Sequence, residues 1–126
     1  MTVLAVLAAA AAAFVVSAIF YSVFGDRLAT ASDAAASDEQ PPPWKFAVEV
    51  GRCLLLSAVV AGLADQGDID EWTGGLLLGL VLWAGFPLVL WIGAVTWENA
   101  PRTLAVVHGG DWLVKLLVVG VIVSVS

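Results

Sequence analysis

The sequence predicts an all-α membrane protein, a four-transmembrane-helix bundle in a single domain. Three observations carry that expectation. Apolar residues make up 61% of the 126 positions and charged residues only 13%, about half the roughly 25% of an ordinary soluble domain. Mean hydropathy is +0.99, more oil than a small soluble fold can bury, given its high surface-to-volume ratio. The charges also sit in clusters between long apolar runs instead of alternating with them.

Each run is long enough to cross a hydrocarbon core of about 30 Å, which takes about 20 mostly apolar residues, and must be helical because lipid cannot satisfy exposed backbone groups. Helices are expected over about 2–24, 44–64, 72–97 and 101–126, with an extramembrane loop over 25–43. The first run carries no charge up to Phe24 and ends at Gly25-Asp26. It has no basic residue before Arg27 and an apolar core too long for a cleaved signal, so it is expected to anchor. Its six alanines, Ala8 to Ala13, offer a smooth surface without chemistry. The loop is small-residue and acidic, and Pro41, Pro42 and Pro43 stiffen the approach to the second helix. A short acidic loop, Asp65 to Glu71, leads to the third helix, with Asp68 and Glu71 spaced as a capping box. Pro87 should kink that helix near Trp83, and Asn99 and Pro101 suit the start of the fourth. Trp44, Trp72 and Trp97 fall where interfacial aromatic belts are expected.

Orientation follows from Arg27, Lys45 and Arg102, which flank the first and third loops. The positive-inside rule places those loops in the cytoplasm and both termini outside, in a multi-pass protein of the cell membrane.

Charges at membrane depth need a partner or a purpose. The second helix carries Lys45, Glu49 and Arg52 on one face, and the fourth carries His108, Asp111 and Lys115, with Trp112 beside them. Both helices run the same way and the depths match, so Arg52 is expected to pair with Asp111, Glu49 lies level with His108, and Lys115 can reach back to Asp111. This cluster of Glu49, Arg52, His108, Asp111 and Lys115 reads either as glue between the second and fourth helices or as a polar path. Gly75 and Gly79 form a G-x-x-x-G pair suited to close helix packing, within one chain in preference to between chains.

Several functions are excluded or disfavoured. A net charge of −6 argues against nucleic-acid binding. A lone cysteine, Cys53, forms no intrachain disulfide and reads as a small buried apolar residue. No nucleophile elbow, phosphate-cradling loop or metal-ligand cluster stands in the sequence, Ser17 and Ser57 have no obvious base nearby, and His108 alone cannot supply two haem ligands. No catalytic residue, metal or cofactor is expected, and the lipid bilayer is the expected partner, with a second copy or another membrane protein beside it. The leading expectation is a non-enzymatic structural, accessory or partner-binding component. The alternative is a small oligomeric transporter or proton-coupled conduit using the polar faces of the second and fourth helices. A lipid-binding role through Trp44, Lys45 and Arg102 is more remote.

Four segments resemble one family. Phe20-Tyr21-Ser22-Val23-Phe24-Gly25, Gly79 to Phe86, Trp97-Glu98-Asn99-Ala100-Pro101-Arg102, and His108-Gly109-Gly110-Asp111-Trp112-Leu113-Val114 followed by Gly120 are similar, in order and spacing, to the domain of unknown function (DUF) 1761 family. The resemblance implies a small four-helix membrane protein and carries no reaction. The sequence departs from it in a shortened Tyr-Ser to Phe-Gly segment and in an acidic first loop with three prolines.

Overall fold

The computed structural model describes the backbone of residues 3–31 and 43–125, and the side chains of 3–24 and 43–125. Among these residues every regular element is helical: α1 (Val3–Ala31), α2 (Pro43–Gln66), α3 (Trp72–Gly85), α4 (Pro87–Trp97) and α5 (Arg102–Val125). Four stretches, Val3–Phe24, Pro43–Gln66, Trp72–Trp97 and Arg102–Val125, are long and apolar enough to cross a membrane. The fold is the expected all-α four-span bundle.

The ends of these elements depart from the expectation in instructive ways. The first helix does not stop at Phe24. It continues to Ala31, because Arg27, Leu28 and the alanines favour helix and a single glycine costs it only about 1 kcal/mol. The rest of the expected loop, with Pro41 and Pro42, lies outside the described residues, as does Ser126. Asp68 caps no helix by its side chain. It takes a left-handed φ of 53°, and the bonds Ile69 N–H to Ala64 O (2.8 Å) and Asp68 N–H to Asp65 O (3.2 Å) close the end of α2 around it, a Schellman arrangement. Short polar side chains tolerate this conformation better than most. Glu71 stands at the start of α3 without a side-chain cap bond, so the capping box is absent. Asn99 likewise turns left-handed, with φ 56°, and belongs to the turn after α4; α5 begins past Pro101.

Pro87 does more than kink its span. The helix breaks at Phe86, and Pro87 opens α4 at its first position. Proline has no N–H to give to the Trp83 carbonyl, and its ring crowds that turn.

The last helix is the hub. α5 packs against α1, α2, α3 and α4, with Val107, Leu116, Val119 and Val123 among its buried residues. α3 lies on it through backbone. A Cβ on Gly79 would come within 2.5 Å of the Leu116 carbonyl, and Gly75 meets Gly120 in the same way. The G-x-x-x-G pair therefore faces another helix of its own chain, and the register makes α3 antiparallel to α5. Trp83 Nε1 adds a bond to the Gly109 carbonyl at 2.8 Å. α1 approaches from another side through a row of residues four apart, Ala5, Ala9, Ala13 and Ser17, all buried. Side chains at i and i+4 share a face, and small ones let the helices close up.

Candidate functional site

The polar site forms where that row meets α5. Asp111 is only 1% exposed, and three groups converge on its carboxylate. Lys115 Nζ lies 3.1 Å from Oδ2, one turn along the same helix. Ser17 Oγ donates to Oδ1 at 3.0 Å. Tyr21 Oη reaches Oδ2 at 3.5 Å and forms a short hydrogen bond with His108 Nδ1. Lys115 is itself buried and sits over the Trp112 ring, 4.5 Å from its centroid, a cation–π contact that helps a desolvated ammonium. The His108 ring is held between Tyr21 and Trp91, stacked on the latter at 5.3 Å and 4°.

A charge at this depth is tolerable only when compensated, and here an opposite charge and hydroxyl donors do that. The tautomer of His108 sets the direction of the chain. With the proton on Nδ1, His108 donates to the Tyr21 oxygen and Tyr21 donates to Asp111; with it on Nε2, Tyr21 donates to Nδ1. Among the described residues Nε2 has no hydrogen-bond partner, yet it is not sealed away, since the only buried side-chain N or O atom among them without a partner is Ser57 Oγ. The histidine lines a lateral groove of about 930 Å³ between α2, α5 and the break at Phe86, which Arg52, Leu56, Pro87 and Trp112 also border.

The expected cluster is thus split. His108, Asp111 and Lys115 come together. Glu49 and Arg52 do not join them: Arg52 bonds Glu49 at 2.8 Å on the same helix, and their side chains are 56% and 29% exposed. The expected Arg52–Asp111 pair is absent, because α2 turns Cys53, Ser57, Val60, Ala61 and Ala64 inward and Arg52 lies about 100° round from Cys53. Glu49 likewise does not reach His108. The groups sequence reasoning missed are Ser17 and Tyr21. Ser17 does have a carboxylate beside it, and α1 is not without chemistry. The signal was present: Ser17 and Tyr21 continue the four-residue row of Ala9 and Ala13. Cys53 is buried, as its apolar neighbours suggest.

Among the described residues no group of three or more His, Cys, Asp or Glu side chains is placed to hold a metal ion. No curated protein and no solved structure matches the chain. The family described as protein of unknown function (DUF1761) matches residues 4–124, nearly the whole sequence. The chain belongs to the DUF1761 family.

Proposed function

We propose that this protein is a non-enzymatic component of a membrane, multi-pass in the cell membrane with both termini outside, whose polar core is a latch between α1 and α5. The observation that carries this reading is the enclosure of Asp111: its carboxylate is buried and met by Lys115, Ser17 and Tyr21. A carboxylate so fully engaged fixes the azimuth and register of two helices that otherwise meet through smooth alanines.

One feature favours a second reading, a proton-coupled conduit. The unpartnered Nε2 of His108 borders the groove, and Tyr21 links the other ring nitrogen to Asp111. A proton taken at Nε2 could move by Nδ1 and the tyrosine hydroxyl to the carboxylate. This path runs through α1 and α5, the first and fourth spans, in place of the second and fourth.

Asp111→Asn separates the two when purified protein is placed in vesicles. The latch predicts lost thermal stability with unchanged proton permeability. A variant as stable as the native chain but with altered proton flux would favour the conduit and refute the latch. For the orientation, a reporter active only in the cytoplasm should be silent when fused after Ser126; activity there would invert it.

A further inference from the structure

The outward face of α2 bears on which partner such a component takes, an inference that rests on the membrane reading above. α2 has 24 residues. At 1.5 Å per residue, Glu49 and Arg52 stand about 9 and 13 Å from its start, well inside a hydrocarbon core of about 30 Å. Among the described residues they bond only to each other, and Arg52 is more than half exposed. Charges at such depth almost always face a bundle interior or a watery cavity; in the single chain Arg52 stands at the open edge of the lateral groove, with Glu49, 29% exposed, beside it.

The surrounding residues show what covers it. Lys45, Val48, Arg52, Leu55 and Val59 are all exposed, and their spacing of 3, 4, 3 and 4 is that of a helix–helix seam. Lipid covers the apolar members well enough, but not an ion pair. Nor does the pair call for a lone counterion, since an acid and a base together carry no net charge. It is complementary to a copy of itself. In a two-fold contact the same patch meets itself. With two α2 helices side by side and parallel, each Arg52 lies about 4.5 Å higher along the axis than Glu49 of the partner subunit, within reach of a guanidinium.

We propose that this face of α2 is a homodimer interface in which Arg52 bridges Glu49 of its own chain and Glu49 of the partner subunit. The test uses the full chain in lipid vesicles, in a Cys53→Ala background. Single cysteines at Val48→Cys and Leu55→Cys should crosslink copies at least tenfold more than Val50→Cys, an equally outward position on another side of the helix. Glu49→Arg and Arg52→Glu should each lose dimer at least tenfold when expressed alone, and should recover it as a mixed pair when co-expressed. If either charge variant fails to insert, the cysteine comparison decides alone. Equal crosslinking at Val50, or no recovery on mixing inserted variants, would overturn the interface. A native chain that stays single on concentration yet resists carbonate extraction would sink the dimer alone, whereas release by carbonate would sink the membrane reading beneath it.

Discussion

The centre of α5 and the first half of α2 carry the same device and use it oppositely. Each has an acid and a base one turn apart within a span. In α5 the side chains of Asp111 and Lys115 are 1% and 4% exposed, and α1 adds a serine and a tyrosine. In α2 the pair Glu49 and Arg52 has no further hydrogen-bond partner among the described residues, and Arg52 is more than half exposed at the edge of the lateral groove. What distinguishes them is which neighbour each helix presents its polar face to. α5 is surrounded, with backbone contact from α3 on one side and the alanine row of α1 on another. The fully buried residues of α2 begin at Cys53. An ion pair inside a membrane protein is therefore defined less by its own spacing than by the helix that comes to meet it.

The largest difference between the two regions should appear on neutralising the acids. Asp111→Asn leaves the Lys115 ammonium buried without its counter-charge, and breaking a buried pair costs about 3–5 kcal/mol. Glu49→Gln, measured by unfolding in micelles dilute enough to hold single chains, should cost less than about 0.5 kcal/mol, as surface changes usually do. Equal losses would erase the distinction.

Added methyl groups sharpen it further. Gly79→Ala should destabilise by about 1–3 kcal/mol, the usual result of overpacking, because the new Cβ meets the Leu116 backbone and not a yielding side chain. Gly51→Ala in the open half of α2 has nothing within 4 Å and should stabilise by about 0.5–1 kcal/mol, the helical preference for alanine. Both are read from thermal or chemical unfolding.

A smaller effect probes the contribution of α1. Tyr21→Phe removes the hydroxyl between His108 and Asp111 and should cost about 0.6 kcal/mol and no more than about 1.7, the range of polar contacts between helices in bilayers. No loss at all would mean that the buried charges are held without help from the tyrosine. The smallest change has the opposite sign. Ser57 is fully buried with its hydroxyl unpartnered, and Ser57→Ala should hold or slightly raise the melting temperature, since an unsatisfied buried group is itself a cost.

These contrasts also mark how far the sequence could be read. The four spans are legible because lipid demands length and apolarity and little else. The parallel run of the second and fourth spans, and the glycine pair at 75 and 79, follow from the same reasoning. Depth, however, says nothing about azimuth. Arg52 and Asp111 lie at similar heights, yet Arg52 stands about 100° round from the face that packs. Ser17 and Tyr21 were hidden by apolar neighbours, and only their place in the alanine row gave a sign. Asp68 has the spacing of a cap, but its readiness to turn left-handed made it the end of α2 and not the beginning of α3.

A thermodynamic cycle in lipid over Asp111→Asn, Lys115→Met and the double variant tests the latch most directly. If the buried pair is held as described, each single change leaves an uncompensated group in the core, and the double variant should regain most of the stability lost by Asp111→Asn. Asparagine can still accept from Ser17 and Tyr21, and uncharged replacements of a buried pair are often neutral. Losses that simply add would show that the two charges do not depend on each other, and would contradict the account.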